Sequence, residues 1–290
     1  MKSVLIGAAS VAAALVPGPV APVTALAVAQ GHVVYATAWT SARCERVVSA
    51  GGTFGPRLCP AVSTGRGIAA VELAGRRVLW LGYAGGNDRD WMLATATPTR
   101  PKPHQLLFAE RDVEQPSPIV LGPSDGSLLV YAYGRRVVAL RADGSRAFAW
   151  TASATVTAVS ADGGSVAAAL ASGEVDVIRA GVVDRRYPVG GVATALALAG
   201  DAVVVQVGRE LSRRSGGLGP EYTLTLAKDA HLEDGDAAHA VYVAGGRAHL
   251  VTFPQTGAPL DRVVGAALHA QLDGRRIVLA SGRSLVAESL

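Results

Sequence analysis

The densest run of chemically competent side chains is HLEDGDAAH, residues 231–239. It places His231, Glu233, Asp234, Asp236 and His239 within nine positions. Carboxylate oxygens are hard donors, so the cation such a run would accept is calcium. The spacing matches no established calcium loop, and a solvated connection between structured units has the same composition. A polar connection is therefore expected, with calcium as the one cofactor the residues would allow. GPSDG (122–126) satisfies the G-x-S-x-G pattern, in which a serine nucleophile is held on a strand-to-helix turn. The motif runs directly into SLLVYAY, which reads as a strand, and Gly and Asp are the residues a hairpin turn requires. The six histidines (32, 104, 231, 239, 249 and 269) are scattered and single out no general base. No residue is assigned a catalytic role.

Cys44 and Cys59 are the only cysteines. With neither in a CxxC pair, a zinc site has little support, and a disulfide is expected if the chain reaches an oxidising compartment. Closing a loop of that size would contribute about 3 kcal/mol. The N-terminus supports export. MKSVLIGAASVAAALVPGPVA has one lysine, an apolar run from Val4 to Val16 and then prolines, the layout of a secretory signal. Residues 1–21 are read as that signal, with cleavage between 14 and 21, and residues 22–290 as one folded domain. The apolar run is too short to span a bilayer comfortably, so no transmembrane anchor is expected after processing. A secreted, periplasmic or cell-envelope location is the expectation.

The elements that position these residues are repeats. TALAVAQGHVVY (24–35) matches TALALAGDAVVV (194–205) at seven of twelve positions, and LAGRRVLWLG (73–82) matches LDGRRIVLAS (272–281). VLGPSDGSLLVYAY, VTAVSADGGSVAAAL and HAVYVAGGRAHLVTF show the same plan: apolar run, Gly or Asp turn, apolar run. That is a hairpin signature. Anchors at Leu26, Val71, Leu121, Val159, Leu196, Val241 and Ala270 give intervals of 29 to 50 residues. Periods near 40 with several strands per unit indicate an all-β propeller of seven blades, with six as the alternative because of the short last interval. Leu26, Ala27, Val28 and Ala29 alternate large and small side chains, as a strand packed between two neighbouring blades requires. The last unit supplies three strands, and Pro17–Pro22 is a candidate for its missing outer strand.

On this period and pattern, residues 22–290 resemble the broad group of WD-repeat-like and quinoprotein-like propellers, especially small exported bacterial ones. The chain has no Gly-His…Trp-Asp pair per blade, no Tyr-Trp-Thr-Asp repeat, no Asp-box and no kelch double glycine. The resemblance thus implies a fold and a general habit of binding, and no site residues.

In the propeller plan, loops joining blades and loops after each second strand open on one face. That face is expected to collect Asp88, Asp90 and Trp91 from GGNDRDW, Glu110, Asp112 and Glu114 from AERDVEQ, and the acids of HLEDGDAAH. Loops on such a face are where propellers bind. Five arginine pairs are spread along the chain and form no stripe, which argues against nucleic acid despite a net charge of +4. The expected activity is non-catalytic binding of a protein, peptide or glycan by a monomeric extracytoplasmic scaffold. The alternative is a propeller enzyme, either a hydrolase or lyase or a quinone-dependent dehydrogenase. A quinone platform would want repeat-equivalent tryptophans, and Trp39, Trp80, Trp91 and Trp150 are not equivalent.

Overall fold

A computed structural model describes residues 19, 21–38, 45–49, 52–58, 65–216 and 219–290. Glycine-rich two-residue turns break the apolar runs into antiparallel meanders, and these form seven sheets. Six sheets have four strands and span residues 23–58, 65–112, 119–151, 156–188, 193–225 and 231–266. The seventh, 269–289, has three among the described residues. Within every sheet the strands pair in sequence order, so the first strand of each is an edge. Each of these first strands neighbours the first strand of the next sheet, and the last, His269–Asp273, neighbours the first, Val23–Ala29. The sheets are therefore blades arranged radially around an axis, with their first strands innermost. Seven blades, not six, close the ring.

The core is divided in the same way. Seven hydrophobic clusters each straddle one blade–blade interface. Along the inner strand of blade 1, Ala25, Ala27 and Ala29 face blade 2, while Leu26 and Val28 face blade 7. In blade 5, Ala195 and Ala197 face blade 6, whereas Leu196 and Leu198 face blade 4. Small faces meeting large ones let radially wedged sheets interlock near the axis, where they are closest. Burying each Leu or Val in this way contributes roughly 1.5–3 kcal/mol.

The sixth blade corrects the sequence reading. HAVYVAGGRAHLVTF forms its second hairpin, and the inner strand is the preceding His231–Gly235. With that strand as the anchor, the short last interval disappears, since the inner strands of blades 6 and 7 begin at His231 and His269, 38 residues apart. Half of Pro17–Pro22, the expected outer strand for blade 7, lies outside the described residues. The Pro22 carbonyl accepts the Ala38 N–H, which places Pro22 in blade 1, beside the second strand of that blade.

Blades 7 and 1 share no sheet. They meet through a cluster of Val23, Leu26, Val28, Val33, Tyr35, Val278 and Ala280, with Leu285 and Ala287 packed against it. The Val23 N–H also donates to the Gly282 carbonyl at 2.8 Å. The strand Ser284–Ser289 covers the edge of Arg276–Ser281 while feeding this cluster. Deleting residues 284–290 should therefore cost at least about 3 kcal/mol, as removal of two or more large apolar side chains does. An unchanged urea midpoint for the truncated protein would show that ring closure does not depend on this strand.

Candidate functional site

The inner strands of all seven blades line an axial channel. One cavity, of about 250 Å³, is bounded by residues 25–26, 69–72, 120–123, 157–159, 194–196, 231–233 and 269–271. A second, of about 390 Å³, continues along the same strands past residues 28–29, 160–162, 198–200, 234–237 and 272–274. The second cavity is the mouth formed by the first hairpin turns. Its polar lining includes a set of five aspartates: Asp125, Asp162, Asp234, Asp236 and Asp273.

Four of these carboxylates hook one blade to the next. Asp125 Oδ2 accepts the Gly163 N–H at 3.1 Å, and Asp162 accepts the Gly200 N–H. Asp234 Oδ2 accepts the Leu272 N–H at 2.9 Å, and Asp273 Oδ2 accepts the Gly31 N–H at 3.0 Å, which joins blade 7 to blade 1. Ser160 makes a double contact of the same kind. Its hydroxyl donates to the Pro123 carbonyl at 3.0 Å and accepts the Leu198 N–H at 2.9 Å.

The GPSDG turn belongs to this rim. Gly122 lies so close to blade 4 that a Cβ there would fall 1.5 Å from the Val159 carbonyl oxygen, so only glycine fits. The Ser124 hydroxyl donates to the Leu128 carbonyl and accepts the Gly126 N–H at 3.0 Å. Ser124 holds a strand-to-strand turn, as its composition suggested, and the next element is a strand.

The structure separates the acids that the sequence grouped together. Glu233, Asp234 and Asp236 are not in a loop between blades. The first two lie in an inner strand, and Asp236 opens the first-hairpin turn after it. An up-and-down meander puts first and second turns at opposite rims, so these acids do not share a face with Asp88, Asp90, Glu110, Asp112 and Glu114. Nor do His231, Glu233, Asp234, Asp236 and His239 converge. His239 Nδ1 lies 3.1 Å from Asp236, Glu233 instead meets His269 Nδ1 at 3.4 Å, and Asp234 engages backbone N–H groups. Among the described residues, no three His, Cys, Asp or Glu side chains are placed to hold one metal ion.

The blade 2 acids do come together. The third and fourth strands of that blade, Asp88–Thr97 and Arg100–Asp112, are among the longest in the molecule. Their register sets Asp88 opposite Asp112 and Asp90 opposite Glu110. Alternation along a strand puts these four exposed carboxylates on one face of the ribbon. Glu114 is exposed just beyond, where its N–H donates to Asp112 Oδ1 at 3.0 Å. Trp91 points the other way. It is 5% exposed within the blade 2–blade 3 cluster, against Tyr83, with the Arg89 guanidinium 4.6 Å from the Tyr83 ring centre.

One channel residue was not singled out from the sequence. Glu72, in the inner strand Gly65–Ala74, is 8% exposed and lines the channel. Its signal is a lone acid in the apolar run GIAAVELAG. Burial pushes its carboxyl well above the usual carboxylate range, and the Asp234 carboxylate adds to this. Burial likewise raises Asp234 from 3.8 to about 7, against the Leu272 and Gly235 N–H bonds and helped by Asp236 and Glu233. Asp162 is raised as well, by burial and then by Asp125.

No protein-family model matches the sequence, and no curated protein matches it. Solved structures do match the fold. The WD40 β-propeller domain of Doa1 aligns with a TM-score of 0.59 at 10% identity, covering 94% of each chain. The fold is a WD40-like β-propeller. A chain of the mitotic checkpoint complex aligns at 0.57 and 12% identity, over 92% of this propeller and 90% of that chain. BamB from Moraxella catarrhalis aligns at 0.54 and 13% identity, over 91% and 84%.

The raised carboxyl of Asp234 has a thermodynamic signature. A carboxyl whose folded pKa exceeds its unfolded one holds a proton in the native state that the unfolded chain releases. Its stabilising effect is complete below the ordinary value of 3.8 and is lost as pH rises through about 7. Asp234→Asn keeps an acceptor for the Leu272 N–H without ionising. The melting temperature of D234N relative to the parent should therefore rise between about pH 4 and pH 7 and level off above. A difference that stays constant with pH would place the Asp234 carboxyl in its ordinary range.

Proposed function

We propose that the protein is a non-catalytic binding scaffold outside the cytoplasm, and that it engages a basic surface on a protein or peptide partner through the blade 2 ribbon. The observation behind this is the cross-strand placement of Asp88 against Asp112 and Asp90 against Glu110. Like charges directly opposite one another destabilise a sheet. Among the described residues, Asp88, Asp90 and Glu110 have no ion-pair or hydrogen-bonded partner to offset that repulsion. Cations brought by a partner would offset it. The shared fold of a chain from the mitotic checkpoint complex gives general support for a role in assemblies. The use of the Ser124 hydroxyl in a turn supports the non-catalytic reading.

The extracytoplasmic part of the proposal rests on the leader-like residues 1–21, which lie almost wholly outside the described residues, as do Cys44 and Cys59. No helix among the described residues is long and apolar enough to cross a membrane. A disulfide is supported by the flanking register, in which Glu45 and Leu58 are direct cross-strand partners. Glycan remains within the scaffold reading, though the acids favour a basic protein surface.

Binding of a lysine-rich peptide, followed by surface plasmon resonance, tests the ribbon. Affinity should fall with added salt and drop at least about tenfold in the variant Asp88→Asn, Asp90→Asn, Glu110→Gln, Asp112→Asn. Equal affinity of parent and variant would remove the ribbon from the proposal. Intact mass of protein recovered from the native secretion route tests the location. It should lack about 14–21 N-terminal residues and the two thiol hydrogens of Cys44 and Cys59. A chain that retains Met1 and two free thiols would falsify export.

A further inference from the structure

Glu72 differs from the other acids of the channel. Every aspartate at the mouth accepts at least one hydrogen bond from backbone N–H, and Glu233 meets His269. Glu72 is more than nine-tenths buried and lines the channel wall, yet its carboxyl has no hydrogen-bond or ion-pair partner among the described residues. With no such partner, the Glu72 carboxyl opens into the channel, where burial and the Asp234 charge disfavour its anionic form and a cation would offset that cost. Asp234 is near enough for its charge to act on Glu72, although it comes from blade 6 and Glu72 from blade 2. Glu72 lines the inner cavity and Asp234 the mouth.

We propose that the axial channel is a binding site for a flexible organic polycation, two or more ammonium groups on a short aliphatic chain, with Glu72 as its innermost anchor. Several features select this chemistry. The acidic groups are distributed along the channel, with Glu72 and Glu233 in the inner cavity and Asp234 and Asp236 at the mouth, so one compact charge would meet only some of them. No three ligating side chains converge among the described residues, which disfavours a bare divalent metal. Between the acids the wall is formed by small and aliphatic residues such as Ala25, Ala158, Ala195 and Leu196, which suit methylene groups. Cavities of about 250 and 390 Å³ admit a small molecule and exclude a folded segment. On binding, the ammonium groups keep their protons and pair with Glu72 and Asp234 as carboxylates, and any proton those raised acids hold passes to solvent. This site is separate from the blade 2 ribbon and does not depend on it.

Isothermal titration of the full protein with spermidine tests the proposal. Saturable binding is expected, weakened at least about tenfold by Glu72→Gln, which is isosteric with the neutral acid and leaves the channel wall filled. Titration in buffers of different ionisation enthalpy should show proton release, diminished in E72Q. Asp234→Asn should weaken binding as well and provides an independent reading if E72Q fails to fold. Glu288→Gln, an exposed acid on the outermost strand of blade 7, should leave binding unchanged. Absence of saturable heat at millimolar spermidine, or equal affinity for the parent, E72Q and D234N, would overturn the proposal. So would a loss in E288Q matching that in E72Q, since it would mean diffuse surface attraction.

Discussion

The structure depends on a contact made at the inner rim, where a side chain at the first turn of one blade accepts a backbone N–H from the next. Inner strands are sheet edges, and an edge near the axis of a closed ring cannot be covered by another strand. Asp125, Asp162 and Asp273 instead hold the first turn of the next blade, Asp234 holds the inner strand of blade 7 at Leu272, and Ser160 reinforces one of these four steps. These bonds fix the angular offset between blades, and the interlocking of alanine faces with leucine and valine faces depends on that offset. The same bonds gather acids around one mouth of the channel, where burial and mutual repulsion raise the carboxyls of Asp234 and Asp162. The hooks that align the blades are thus also what make the axis electronegative.

Much of the fold was legible because a blade interface imposes a pattern on contiguous residues. The Leu-Ala-Val-Ala alternation at residues 26–29 reflects two different neighbours on the two faces of one strand. The pattern failed at His231–Gly235, whose side chains mostly point at the channel or the mouth and leave only Leu232 in a core cluster. A strand with a single residue in a core cluster has little reason to be apolar, and two acids and a histidine in five residues looked like a connection. The error moved one anchor and carried Glu233, Asp234 and Asp236 to the wrong rim.

The candidate sites were legible in proportion to how local their geometry is. Asp88, Asp90, Glu110 and Asp112 fall side by side because period-two spacing and one hairpin suffice to align them. Trp91 was drawn into the same group by adjacency alone, although neighbours in a strand face opposite ways and it belongs to the core. Glu72 went unremarked because its meaning depends on Asp234, which is far away in sequence and comes from the other side of the ring.

The closure between blades 7 and 1 has a topological consequence. It uses a face-to-face cluster, a carboxylate hook and one backbone bond, the same kinds of contact found between blades that are consecutive in the chain. No strand is exchanged across it within the described residues. Among the described residues the ring has no privileged seam, and the order in which the polypeptide visits the blades is one of several that would generate the same set of interfaces. A chain opened at another surface turn and rejoined near Pro22 and Leu290 would meet the same seven interfaces, so this architecture is a natural host for circular permutation.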